Sequence, residues 1–242
     1  MRAYRLSLFA SVLALLAAGC ASRRAAVPAE PPSSPFTGAA ILSSETFDEL
    51  REDRWREVDV HGRSEYGVTD LEGRRCLRAR SANGASILLG PMPFDPGEHE
   101  WLSWDWRVDT LPHGEDLRRK DGSDAAARIY VYFDTGGFPW QKRSLDYVWS
   151  ASLPVGTVLD SAFSPESKII VAESGVDALG QWRTVERNLR KDYERSFGRG
   201  PLPRVVAIGV MTDSDNTGSE TLAYFDGLNV SRVPLVDRDA TR

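Results

Sequence analysis

Glu100-Trp101-Leu102-Ser103-Trp104-Asp105-Trp106-Arg107-Val108-Asp109 decides the fold class. Leu102, Trp104, Trp106 and Val108 fall on one face of an extended chain, and Ser103, Asp105 and Arg107 on the other. This period of two marks a strand with one buried and one wet face. Residues 126–134 repeat it, with Ile129, Val131 and Phe133 on one face and Arg128, Tyr130 and Tyr132 on the other. Further strand-like runs lie at 77–79, 86–89, 145–151, 168–172, 204–212 and 221–230. Asn83-Gly84, Pro91, Gly136-Gly137 and Asn216-Thr217-Gly218 supply turns between them. Many short strands at this spacing predict an all-β chain folded as a jelly-roll-type β-sandwich. Val185, Leu189, Tyr193 and Phe197 recur every four residues. They predict one short amphipathic helix at about 188–197, capped by Asn188 and stopped by Gly198 and Gly200-Pro201.

Composition narrows the class. The 242 residues include 30 Lys+Arg and 35 Asp+Glu, a formal net charge of −5, with 41% hydrophobic and 27% charged residues. Such a chain is globular, neither disordered nor collagen-like. The excess of acid argues against nucleic acid as a partner, because neutralising phosphates takes dense Lys and Arg. Two cysteines and three histidines exclude a disulfide scaffold, a zinc ribbon and an iron–sulfur protein.

The N-terminus reads as an address. Arg2 and Arg5 precede an apolar run at 6–18, too short to span a bilayer core of ~30 Å as a helix. Leu16-Ala17-Ala18-Gly19-Cys20 resembles a bacterial lipobox. The resemblance implies that 1–19 is a lipoprotein signal peptide and that Cys20 carries a diacylglyceryl thioether and an acylated amine. Several acyl chains hold a protein on the lipid bilayer stably, since each buried CH₂ contributes ~0.8 kcal/mol. Ala21 follows the cysteine, which by analogy with enterobacterial sorting favours the periplasmic face of the outer membrane over the inner. Residues 20–40, with Pro28, Pro31, Pro32 and Pro35, form a tether; 41–233 form one domain, and 234–242 a tail. Cys76 then remains as the free thiol, in an alternating run that reads as a buried small hydrophobe.

Several strings point to a family when taken together. They are 102–108, Ala127-Arg128-Ile129-Tyr130-Val131, Tyr147-Val148-Trp149-Ser150, Glu186-Arg187-Asn188-Leu189 with Asp192-Tyr193 and Phe197-Gly198, and 209–218. Over residues 43–231 the chain resembles bacterial exported proteins carrying domain of unknown function 3047. It departs from that family's pattern at Asp105, where a basic residue is common, and at Ser123, where a second acid is common. The family has no established activity, so the resemblance implies fold and export. The ends of the domain are similar to galactose-binding-like jelly-roll carbohydrate-binding modules: Glu45-Thr46-Phe47-Asp48 opens it, and Ala223-Tyr224-Phe225-Asp226-Gly227-Leu228-Asn229-Val230 closes it.

The polar faces of the two deciding strands are the candidate ligand site. Asp105 and Arg107 lie on one, Arg128, Tyr130 and Tyr132 on the other. If those strands are neighbours, they form one concave surface of acids, guanidinium groups and phenol rings, the mixture that sugar recognition uses. The competing reading is a solvated sheet face with cross-strand ion pairs. Trp140, in an aromatic loop tip at 136–140, joins the ligand-binding candidates; Trp101 and Trp149 fall outside the set read as buried. The loop 213–220 offers Asp213, Asp215, Asn216 and Glu220 as oxygen ligands for calcium, although Tyr224 stands where an EF-hand requires Glu. Its competing reading is a polar hairpin turn. The jelly-roll resemblance adds a structural calcium at Glu45, Asp48 and Asp226.

Asp134-Thr135-Gly136 is a turn, since an aspartic protease needs two such loops. The expectation is a non-catalytic, membrane-anchored periplasmic domain that binds a glycan or another cell-envelope ligand. The alternatives are a polysaccharide hydrolase using a carboxylate pair, with Glu173 and Glu186 as candidates, and a structural lipoprotein with an envelope protein partner.

Overall fold

The computed structural model describes residues 40–136 and 142–236. Strands β1 (Ile41–Glu45), β3 (Glu65–Leu71), β4 (Arg74–Ala82), β6 (Trp101–Thr110), β11 (Arg183–Asn188) and β13 (Glu220–Ser231) form a six-stranded sheet. Its order is β11-β6-β13-β4-β3, with β1 also paired to β13. Strands β2 (Arg56–His61), β5 (Ala85–Phe94), β7 (Arg128–Phe133), β8 (Arg143–Ser150), β9 (Val158–Asp160), β10 (Ser167–Ser174) and β12 (Val205–Asp213) form the second sheet. Its order is β2-β5-β12-β7-β8-β10-β9, parallel between β8 and β10 and antiparallel elsewhere. The two sheets pack face to face as a jelly-roll β-sandwich.

The alternation read from the sequence sets the core. Leu102, Trp104, Trp106 and Val108 are all at most 1% exposed. Trp104 meets Trp106 edge-on at 5.3 Å and Tyr147 of the other sheet at 5.3 Å, and Trp106 meets Trp149 at 6.0 Å. Trp149, unclaimed for the core by sequence, is fully buried and donates its indole N–H to Gly175 O at 3.1 Å. Trp101 stands half-buried at the start of β6. Cys76 is free and buried, and burial pushes its thiol up to about 11, which makes it inert as a nucleophile.

Chain crossings between the sheets explain the turns. Asn83-Gly84 does not close a hairpin; it carries the chain from β4 in one sheet to β5 in the other. A side chain at Gly84 would place its Cβ 2.4 Å from Arg63 O, so only glycine fits. One α-helix is present among the described residues, α1 (Leu189–Phe197). Asn188 Oδ1 accepts from Lys191 N at 2.9 Å and caps it, and Gly198 at φ 85° ends it. Val185 belongs to β11 and not to the helix, although it continues the four-residue spacing. Strands β1, β2, β3 and β9 lie outside the strand-like runs read from the sequence.

Candidate functional site

The two deciding strands belong to different sheets, so their polar faces look out from opposite sides of the sandwich. Asp105 and Arg107 therefore do not share a surface with Arg128, Tyr130 and Tyr132. Alternation assigns a strand's faces but not its sheet. On the six-stranded sheet the charges satisfy one another. Arg74 bridges Asp105 and, at 2.5 Å, Asp226, beneath the Trp182 ring at 4.1 Å, and Thr184 Oγ1 donates to Asp105 at 2.5 Å. Arg107 is held by Asp109 at 2.7 Å and Glu72 at 3.1 Å. This is the ion-pair ladder of a solvated sheet face.

The seven-stranded sheet carries a cleft of about 240 Å³ on its outer face. Its floor is laid by strand register: Arg128 stands opposite Met211, Tyr130 between Gly209 and Asp146, and Tyr132 opposite Ser144. A Cβ at Gly209 would come within 2.8 Å of Ile87 Cγ2 and 3.4 Å of the Tyr130 side chain, so glycine keeps that row of the floor open. Val60 on one rim and Phe163 on the other are 57% and 53% exposed.

Tyr130 and Tyr132 stack with centroids 5.5 Å apart and 12° between planes. Tyr130 Oη donates to Met211 Sδ at 3.3 Å. Burial pushes both phenols above their ordinary range, so both hydroxyls stay protonated at neutral pH. Arg128 is buried, donating to Ser123 O at 3.2 Å, with Asp213 Oδ2 at 3.6 Å and its Nε without a partner. Asp146 is 1% exposed and accepts one bond, from Ser144 Oγ at 2.6 Å. Burial pushes Asp146 up to about 6 and Asp213 up to about 7, and the Arg128 charge opposes both shifts. Asp146, Asp213 and Met211 join the floor without having been singled out as ligand contacts. Asp146 was hidden because Leu145, Tyr147 and Trp149 dominate its strand.

The acidic loop assembles differently from the calcium expectation. Asp213 and Asp215 meet Asp124, with one carboxylate oxygen of each within 4.8 Å of the others. Asp124 accepts from Asn216 N at 3.1 Å, Asn216 Nδ2 at 2.9 Å, Thr217 N at 2.7 Å and Thr217 Oγ1 at 2.7 Å. Asp213 accepts from Ala125 N at 3.0 Å, and Asp215 pairs with His61 at 3.0 Å. Asn216 thus turns its amide N–H, not its carbonyl, toward the carboxylates. Glu220 lies apart, paired with Arg80 at 3.3 Å. The carboxylates clamp the 213–219 turn, and Asp124, Asp213 and Asp215 are the group among the described residues whose oxygens stand close enough to hold a metal ion.

Glu45, Asp48 and Asp226 form no metal-like group among the described residues. Glu45 accepts from Trp55 Nε1 at 3.0 Å, Asp48 from Thr46 Oγ1 at 2.6 Å, and Asp226 pairs with Arg74. Glu173 pairs with Arg183 at 2.9 Å, and Glu186 accepts from Val236 N at 3.0 Å; they sit in different sheets and make no carboxylate pair. Cys20 and Trp140 lie outside the described residues.

Fold and cleft define a jelly-roll β-sandwich with a polar-aromatic groove on one sheet. The chain belongs to the family described as Protein of unknown function (DUF3047), whose model matches residues 53–229. No curated protein matches it. Among solved structures it is similar to the family 11 carbohydrate-binding module of cellulosomal cellulase Lic26A-Cel5E of Clostridium thermocellum. That match has 12% identity, covers 81% of this chain and 95% of that one, and gives a TM-score of 0.43. The family 30 module of cellulase Cel9D-Cel44B from the same organism matches at 11% identity, over 80% and 96%, with a TM-score of 0.43. The cellulose induced protein Cip1 matches at 8% identity, over 79% and 97%, with a TM-score of 0.45.

Proposed function

We propose that this chain is a non-catalytic glycan-binding protein whose ligand lies in the cleft of the seven-stranded sheet. One observation carries the reading: the stacked Tyr130–Tyr132 pair stands beside buried carboxyls with unspent acceptor capacity. Aromatic faces cover the C–H side of a pyranose ring, and carboxylates accept from its hydroxyls. The volume suits one or two sugar rings, below the ~300 Å³ at which drug-sized sites begin. Val60 and Phe163 provide apolar rims that a bound ring would cover. The test is calorimetric titration of the full chain with a panel of oligosaccharides. The reading expects binding to at least one class, abolished by Tyr132→Ala; no binding to any class overturns it.

The chain is further proposed to be a lipoprotein, acylated at Cys20 and held at the periplasmic face of the outer membrane. The lipobox-like string ending at Cys20 and the Pro-rich tether support this. Palmitate labelling tests it: Cys20→Ala should lose the label and leave the membrane fraction. Equal labelling of that variant would contradict it.

A further inference from the structure

We infer that the cleft selects a glycan bearing a protonated amine, an amino sugar with a free ammonium group, over neutral and acidic counterparts. This rests on the glycan reading and adds the ligand's charge. Asp146, Asp213 and Asp215 line the cleft against a single guanidinium, Arg128. Arg128 sits 3.6 Å from Asp213, and Asp215 is held by His61. Asp146 makes no ion pair among the described residues, although the Arg128 charge favours its ionised form. One of its oxygens takes the Ser144 hydroxyl, and the other has no donor among the described residues.

The surrounding cations are engaged elsewhere. Lys168 pairs with Asp160, Arg143 with Glu166 and the Tyr193 hydroxyl, and Lys120 lies over the Phe163 ring at 5.3 Å on the rim. A buried carboxylate without an ion-pair partner is costly, and a ligand that brings a charge into contact with it reduces that cost. An ammonium supplies the charge together with three donors. It is also drawn to the Tyr132 ring, whose neighbour Tyr130 already carries the Arg128 guanidinium at 5.6 Å. A uronate would instead add a carboxylate to a site already rich in them. A bare divalent cation fits less well, because Asp146 is not part of the Asp124–Asp213–Asp215 group and Asp124 already accepts four donors.

Matched trisaccharides decide the matter. The full chain is titrated calorimetrically at about pH 6, in chelator, with β-1,4-linked trimers of glucosamine, N-acetylglucosamine, glucose and glucuronate. The glucosamine trimer should bind about tenfold tighter than the glucose trimer, the size of one charge-assisted hydrogen bond. The N-acetylated trimer should behave as the neutral one, and the glucuronate trimer should bind weakest. Asp146→Asn should bring the glucosamine and glucose trimers to equal affinity. Equal or tighter binding of the glucose trimer by the wild-type chain overturns the inference and leaves the glycan reading standing. A preference that persists in Asp146→Asn overturns the role given to that carboxylate. Failure of all four to bind overturns the inference, while the glycan reading is decided by the wider oligosaccharide panel.

Discussion

Tyr130 on β7 stands directly across from Asp146 on β8, and both line the outer cleft of the seven-stranded sheet. Directly opposed residues hold their Cβ atoms about 4.5–5.5 Å apart, so the ladder itself fixes an aromatic face beside a buried carboxyl. The floor of the site is built on strands, and loops supply rim residues such as Phe163. Strand-borne sites are the more rigid kind.

The buried carboxyls make stability fall with rising pH. Asp146 and Asp213 titrate at about 6 and about 7 in the folded chain, above an unfolded value near ~4. The folded state therefore holds more protons than the unfolded state between those values, and their contribution is lost as pH rises through that window. Asp213→Asn keeps an acceptor for Ala125 N and removes one titration. Its Tm should fall less than that of the wild type between about pH 4 and about pH 8. An unchanged slope would contradict the assignment.

Trp104 tests the core. It is 1% exposed, and its indole N–H has no partner among the described residues. Trp104→Ala should cost about 3–5 kcal/mol in denaturant unfolding. Trp104→Phe should cost less than half of that, because it removes an unsatisfied donor along with volume. Equal losses in the two variants would show that the N–H is satisfied in solution.

Gly209 tests the cleft floor. A methyl group there meets Ile87 and Tyr130, so Gly209→Ala should cost about 1–3 kcal/mol through overpacking and should weaken ligand binding. A neutral effect on both would place the Tyr130 ring elsewhere.

Asp124 tests the acidic loop. Four donors converge on its carboxylate, so Asp124→Ala should cost about 1–3 kcal/mol by leaving half-buried donors unpaired. Calcium added to the wild-type chain should move Tm by less than about 1 °C, since a ligand stabilises only as far as it binds the native state. A rise of several degrees, reversed by chelator, would show that an ion displaces those donors.

The sandwich was legible because Trp104, Trp106, Ile129 and Phe133 alternate strongly with polar neighbours, and the Asn188–Phe197 helix because its cap and stop residues are local. The site was legible in part. Arg128, Tyr130 and Tyr132 share a strand, so alternation alone brings them to one face. Asp105 and Arg107 were drawn into the same surface because nothing local in β6 or β7 tells which sheet each strand joins. That choice is made by long-range pairing, of β6 with β11 and β13 and of β7 with β8 and β12. Asp124 acts through partners distant in sequence. Asp124 meets Asn216 and Thr217, 92 and 93 positions away, and no spacing rule announces such a contact.

The two faces of the sandwich make opposite claims on a ligand, and a single comparison separates them. Oligosaccharide affinity is measured for the wild type, for Tyr132→Ala in the cleft and for Arg107→Ala on the six-stranded sheet. The cleft account predicts that Tyr132→Ala abolishes binding while Arg107→Ala leaves it within about twofold, a change of less than ~0.5 kcal/mol. Binding that survives Tyr132→Ala and is lost in Arg107→Ala would place the site on the opposite sheet and contradict the account.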